Sequence, residues 1–183
     1  GPFRTVQGVR DDESASGVWF RAKDIIKIGK RSKFHDVVTS TTRWVDVSLA
    51  LQTMTLYEGY KAVYVTLISS GQDVLGDPTT SAATLQGTFT IQKKSLTMSL
   101  DPREVAEAFD VSDAPYALEY APGFAFVGGY WADKAGEARG FHNITLSPVD
   151  ARRLYRFTGP ELPVGFRSMV LDASESITVH VRK

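Results

Sequence analysis

A catalytic loop followed by a capped helix is the layout of the stretch from Val127 to Phe157. Its reactive polar groups are Arg139, His142 and Asn143, with Ser147 at the start of the expected helix. An arginine can bind a carboxylate, a histidine can transfer a proton, and a serine can attack a carbonyl when a base lies within reach. No Asp or Cys lies near His142 in sequence, so the spacing predicts no nucleophile–base pair.

The helix that would position this loop has clear boundaries. Ser147 suits the N-cap, Pro148 suits the first helical position, and Asp150 stands three residues after the cap. Apolar and arginine side chains then alternate at helical spacing until Gly159-Pro160, which predicts the end of the helix. We therefore expect the Ser147 hydroxyl to cap the helix, and we expect the helix to hold the loop 136–146 in place.

Composition excludes several kinds of site. The chain has 183 residues, 43% of them hydrophobic, a net charge of zero and no cysteine. Neutral charge gives no support for nucleic-acid binding, and the lack of cysteine excludes disulfides, a thiolate nucleophile and thiolate metal ligands. His35, His142 and His180 lack the spacing of metal ligands, so neither a metal nor a cofactor is predicted. No apolar run approaches the ~18 residues of a membrane span.

Short segments of alternating polarity predict a mainly β fold with one or two helices, arranged as a sandwich or half-open barrel. The second helix is expected over Asp101 to Phe109, and a strongly β-prone, mostly buried strand over Ala62 to Ile68. The main domain is predicted at 43–183. Residues 1–42 are an N-terminal extension with one strand in Gly17 to Ile25, either the end of a preceding SH3-like module or an added edge strand.

The region from Arg43 to Val170 resembles the catalytic domain of the L,D-transpeptidase family, the YkuD-like fold. An opening hairpin, a Ser-Ser-Gly segment and a Pro-Tyr strand occur in the family's order, and the catalytic loop and its helix follow. The matching segments are Trp44–Leu49, Leu56–Gly59, Ser69–Gly71, Gly76–Thr80, Gly87–Phe89, Asp113–Tyr116, Gly123–Phe126, Tyr130–Trp131, Gly136, Arg139 and Leu146–Ala151.

The departures from the family pattern fall on its reactive positions. The resemblance places the family's two histidines at Val127 and Phe141, and its nucleophilic cysteine at Asn143. The family's glycine falls on His142, and its Asn or Arg falls on Thr145. The family reaction is acyl transfer from a peptidoglycan stem peptide through a thioester, which needs a nucleophile, a base and oxyanion donors. A carboxamide, a valine and a phenylalanine supply neither nucleophile nor base.

We therefore expect a catalytically inactive, L,D-transpeptidase-like domain (a pseudoenzyme) of the bacterial periplasm or cell envelope. Gly1-Pro2 has the form left by removal of a tag, and the envelope location implies an export signal upstream of this sequence. The vestigial, ligand-binding cleft is predicted at Val127, Tyr130, Trp131, Arg139, Phe141, His142, Asn143 and Thr145.

Three functions are compatible with the sequence. The first is binding of a peptidoglycan stem peptide or another envelope ligand in the old cleft. The second is a protein-interaction or scaffolding role with an envelope protein as partner, in which Val127 and Phe141 fill the cleft. The third is relocated peptidoglycan-modifying chemistry, which we rank last because no nucleophile–base pair is visible.

Overall fold

The computed structural model describes residues 3–5, 19–21, 38–73, 76–100 and 111–183. The chain divides into two compact units, Gly1–Phe34 and His35–Lys183. In the first unit, β1 (Phe3–Thr5) pairs antiparallel with β2 (Trp19–Arg21), which lies inside the predicted strand region. The predicted domain boundary after residue 42 and the nature of the extension stay predictions. The predicted helix at 101–109 lies outside the described residues.

The second unit contains two five-stranded sheets that each mix parallel and antiparallel pairs. Sheet I has the order β5-β4-β3-β12-β6, and sheet II has the order β10-β9-β8-β7-β11. The mainly β class with its single described helix agrees with the prediction. The bounds are β3 Arg43–Ser48, β4 Thr53–Glu58, β5 Lys61–Leu67, β6 Gly87–Thr90, β7 Lys93–Leu100, β8 Val111–Ala121, β9 Phe124–Gly128, β10 Ile144–Leu146, α1 Pro148–Phe157, β11 Ser168–Val170 and β12 Thr178–Arg182.

The main core combines side chains from both sheets and from the helix. Val45 and Leu56 of sheet I, Leu118 and Phe126 of sheet II and Leu154 of α1 are all buried in this one cluster. Burial of these apolar surfaces is the main favourable term in folding. A smaller cluster with Ala117, Ala125 and Val127 lies apart from it, on alternating residues of the same two strands of sheet II.

The start of α1 follows the sequence prediction. Ser147 Oγ accepts a hydrogen bond from the Asp150 backbone N–H at 3.2 Å, and Pro148 occupies the first turn. The Asp150 carboxylate also accepts hydrogen bonds from Tyr64 and from Thr66, the latter at 3.0 Å. The N-cap therefore both begins the helix and ties it to β5.

The end of α1 is held by a buried cation that the sequence pattern does not predict. Lys94 is 1% exposed, and its Nζ donates to the carbonyl oxygens of Tyr155 at 2.7 Å, Thr158 at 2.5 Å and Pro160 at 3.0 Å. Burial lowers the pKa of Lys94 to about 8. These bonds satisfy carbonyl groups that a helix end leaves unpaired.

The predicted burial of the strand over Ala62 to Ile68 is wrong. In β5, Val63 is 39% exposed, and Val65 and Leu67 are each 37% exposed. The reason is that, among the described strands, β5 pairs only with β4 and lies at the edge of sheet I. Only Ile68, just after the strand, is fully buried.

Among the described residues, no helix has the length and apolarity needed to cross a membrane.

Candidate functional site

The loop 136–143 is fixed at several points to the segment 68–72. Gly136 N–H donates to Ile68 O at 2.8 Å, and Gly140 exchanges backbone hydrogen bonds with this segment at 2.8 and 2.9 Å. Ser69 Oγ donates to Glu137 O at 2.6 Å. The loop therefore has a second rigid support besides the helix that the sequence predicts.

A buried glutamine holds the segment 68–72 in turn. Gln52 Nε2 donates to Leu49 O and to Ser70 Oγ, each at 2.7 Å, and Gln52 Oε1 accepts from Ser70 N–H at 2.8 Å. Gln52 is 6% exposed and Ser70 is fully buried. Because buried polar groups are costly when unpaired, this network specifies one arrangement of the support.

Val127 and Thr145 are neighbours in the parallel pair β9 and β10. Val127 is fully buried and Thr145 is 7% exposed. Val127 belongs to the smaller apolar cluster, against which the half-buried Trp131 also packs. A proton-transfer role needs an ionisable group, so the chemistry available at Val127 is limited to packing.

Asn143 uses its side chain to complete the edge of a sheet. Its Oδ1 accepts a hydrogen bond from the Ala125 backbone N–H of β9 at 2.9 Å. Asn143 directly precedes β10. Its carboxamide therefore extends the pairing between β9 and β10 by one residue before β10 begins. This contact gives Asn143 a structural role.

His142 is engaged by the loop that precedes β6. Its Nε2 lies 2.7 Å from Ser81 O, and its backbone N–H donates to Ala82 O at 3.0 Å. A carbonyl oxygen only accepts hydrogen bonds, so Nε2 must carry a proton. The imidazole also lies 5.1 Å, centroid to centroid, from the Phe124 ring. These contacts are those of a loop-packing residue.

The other predicted cleft residues lie nearer the surface. Arg139 Nε is 2.6 Å from Glu137 Oε2, and both side chains are more than half exposed. Tyr130 is 62% exposed, donates to Ser112 O at 3.0 Å and meets Trp131 edge to face at 5.0 Å. Phe141 is half-buried. Within the described part of the chain, no hydrogen bond links Arg139, His142 and Asn143 to one another.

One hydroxyl–imidazole pair lies away from the loop, and the sequence pattern does not predict it. Thr88 Oγ1 and His180 Nδ1 are 2.9 Å apart across β6 and β12. Asp46, beside His180 on β3, has its carboxylate bound by Arg182 at 3.2 and 3.0 Å. The two residues are 92 positions apart in sequence, so only strand pairing reveals their contact.

In the described ranges, no group of three or more His, Cys, Asp or Glu side chains could hold a metal ion.

No protein-family model matches this sequence, and no curated protein matches it. Solved structures do match the fold. An L,D-transpeptidase from Mycobacterium smegmatis aligns with 77% of this chain at a TM-score of 0.57 and 18% identity. An L,D-transpeptidase from Stackebrandtia nassauensis aligns with 84% at a TM-score of 0.55 and 20% identity.

Coverage of the matched structures differs. This chain spans 58% of the M. smegmatis protein and 62% of the S. nassauensis protein. It spans 98% of the catalytic domain of the E. faecium L,D-transpeptidase, with a TM-score of 0.56 and 19% identity over 78% of this chain. Similarity at this level of identity establishes a common architecture and does not assign a reaction. The chain therefore has an L,D-transpeptidase-like fold.

Proposed function

We propose that this chain is a catalytically inactive, L,D-transpeptidase-like domain of a bacterial cell envelope that binds a peptidoglycan stem peptide or another envelope ligand. One observation carries the proposal. The family resemblance places Asn143 at the nucleophile position. Its carboxamide oxygen accepts a hydrogen bond from the Ala125 backbone N–H at 2.9 Å. The whole chain has no cysteine to take its place.

The position assigned to the first family histidine supports the same proposal. Val127 is fully buried among apolar side chains. A base has to reach the nucleophile within hydrogen-bond distance, and a valine offers no such contact. The similarity in fold to L,D-transpeptidases is the basis for proposing a peptidoglycan ligand and the envelope location.

Arg139 is the residue best suited to recognise an anionic ligand. Its guanidinium is exposed and already pairs with a carboxylate, that of Glu137. An exposed ion pair of this kind is worth only about 0–1 kcal/mol, so a ligand carboxylate can replace Glu137 at little cost. A stem peptide carries such carboxylates and would compete for the same fork of N–H donors.

The test is incubation with purified sacculi and defined muropeptides, followed by pull-down and mass spectrometry. We expect retention on sacculi and no mass change in a tetrapeptide stem. Arg139→Ala should weaken retention and Glu137→Gln should strengthen it, whereas Arg152→Ala, an exposed arginine on α1, is the matched control. Loss of D-alanine from the stem would overturn the inactivity, and absence of retention would overturn the ligand.

The alternative is a protein-interaction or scaffolding module. Two observations favour it: Val127 is fully buried in apolar packing, and the edge strand β5 exposes Val63, Val65 and Leu67. Such an edge can pair with a strand of another protein. Val65→Lys should then abolish capture of an envelope protein, whereas unchanged capture would exclude β5 as the contact.

A further inference from the structure

The residues 159–167, between α1 and β11, form a loop that is closed at its base near Lys94. At the start of this α1–β11 loop, Pro160 O accepts a hydrogen bond from Lys94 Nζ at 3.0 Å. At its end, Arg167 O accepts one at 2.8 Å from the backbone N–H of Leu96, two residues along β7 from Lys94. The loop therefore leaves and rejoins the protein at one place on sheet II.

The tip of the α1–β11 loop presents apolar side chains to solvent. The Phe166 N–H donates to Pro163 O at 3.1 Å and Gly165 has a φ of +89°, which is the geometry of a tight turn. Val164 is fully exposed and Phe166 is 62% exposed, and Val170 on the adjoining β11 is 78% exposed. Single exposed apolar residues are ordinary, whereas several at one projecting turn mark an interaction surface.

Cations lie at the base of this apolar tip. From Arg152 to Arg167 the chain has four arginines and one acidic residue, Glu161, although the net charge of the whole chain is zero. Arg156 is in the last turn of α1, which the Lys94 ammonium joins to the start of the loop. Arg156 and Arg167 are exposed, and neither forms an ion pair with a described residue.

An apolar tip above a basic base fits a lipid surface better than a protein surface. The headgroup region of a bilayer accepts apolar side chains to a depth of about 5–10 Å, and anionic headgroups attract arginine. A stable protein interface buries about 800 Å² on each partner, whereas one phenylalanine buries at most about 250 Å². The side chains of a single projecting turn provide only part of the area that a protein partner needs.

We propose that the α1–β11 loop binds an anionic lipid bilayer, with Val164 and Phe166 in the headgroup region and with Arg156 and Arg167 at lipid phosphates. The anchored base means that little of the loop has to be ordered on binding. The contact would hold the domain at a membrane surface. The proposal is independent of what the loop 136–143 binds.

The test is co-sedimentation of the protein with vesicles of equal parts phosphatidylglycerol and phosphatidylcholine. We expect the protein to sediment with these vesicles, and to sediment less with vesicles of phosphatidylcholine alone. Salt at about 0.5 M should weaken the binding, because it screens the attraction between arginine and phosphate. Equal binding to the two kinds of vesicle would contradict the role of the cations.

Val164→Ser and Phe166→Ser test the apolar tip. Each should lower the partition onto the mixed vesicles about tenfold, because an apolar side chain no longer leaves water. Both residues are exposed, so the melting temperature should stay that of the wild type. Leu51→Ser is the matched control, because Leu51 is also an exposed apolar turn residue, at 42%, and lies between β3 and β4 of sheet I.

Charge variants test the base of the loop. Arg156→Gln and Arg167→Gln should each lower the partition about fivefold, the usual contribution of one cation near an anionic surface. Glu161→Gln should raise it by a similar factor, because it removes the acid of the loop. Lys183→Gln is the control, because this exposed cation lies beyond β12 in sheet I and should leave binding unchanged.

Phe166→Trp reports whether the tip enters the bilayer. Vesicles with brominated acyl chains should quench the fluorescence of this variant more than that of the wild type, which has three tryptophans of its own. Equal quenching would mean adsorption by charge alone and would overturn insertion of the tip. Absence of sedimentation with the mixed vesicles would overturn the whole proposal, and so would equal partition of the wild type, Val164→Ser and Phe166→Ser.

Discussion

At the scale of single residues, the Asn143 side chain serves the fold, at a position that the sequence resemblance assigns to the family's nucleophile. The Asn143→Ala substitution removes the acceptor of the Ala125 N–H. Leaving a buried donor unpaired costs about 1–3 kcal/mol, so we expect the free energy of unfolding to fall by that amount. Urea unfolding of this variant and of Asn143→Asp, which keeps an acceptor oxygen, would measure the effect. Equal stability of Asn143→Ala and the wild type would argue against this contact.

Lys94 should make the stability of the fold depend on pH. Its pKa is lowered by burial to about 8, from an ordinary value of 10.5. Between these values the unfolded chain binds more protons than the folded chain, so the contribution of Lys94 to stability should rise with pH across this window. Below pH 8 the contribution should be constant and at its lowest.

The measurement for Lys94 is urea unfolding at several pH values, compared with Lys94→Met. The difference in unfolding free energy between the wild type and this variant removes the contributions of the other groups. We expect that difference to shift in favour of the wild type between about pH 8 and pH 10.5. A shift in the opposite direction would mean that Lys94 is more strongly protonated in the folded state than unfolded.

At the scale of elements, the position of a strand in its sheet decides its burial. Val65 lies on the edge strand β5 and is 37% exposed, whereas Leu56 on the adjacent strand β4 is 1% exposed. We therefore expect Val65→Ala to change stability by only about 0.5 kcal/mol, and Leu56→Ala to cost about 2–5 kcal/mol. Thermal or urea unfolding of the two variants checks this, and similar losses would show that β5 is covered in solution.

The two ends of α1 are specified by different parts of the chain. The N-cap follows from adjacent residues, Ser147 to Asp150. The C-terminal end depends on Lys94, which lies 61 to 66 positions earlier in the chain. Local signals therefore specify where α1 begins, and a distant strand stabilises where it ends.

At the scale of the whole molecule, the last strand completes sheet I. Strand β12 lies between β3 and β6, pairing parallel with the first and antiparallel with the second. Deletion of residues 178–183 would leave two strand edges and part of the main core uncovered. We expect the shortened protein to lose cooperative unfolding and dispersed NMR signals. Deletion of Lys183 alone is the control, because this residue lies beyond β12 and is exposed.

The sequence by itself determined the features that depend on neighbouring residues or on composition. Alternation predicted most of the strands, and the Ser147 cap predicted the start of α1. The lack of cysteine excludes a thiol nucleophile whatever the fold. The order of family-like segments also led to the L,D-transpeptidase-like architecture that the structural similarity confirms.

Only the tertiary structure decided which residues meet across long separations. The exposure of Val65 depends on sheet order, which alternating hydrophobicity does not specify. The Thr88–His180 pair and the Asn143 contact with Ala125 each require segments that are separated in sequence to lie side by side. Periodicity reports the environment of a single element, whereas these contacts arise only when the sheets are assembled.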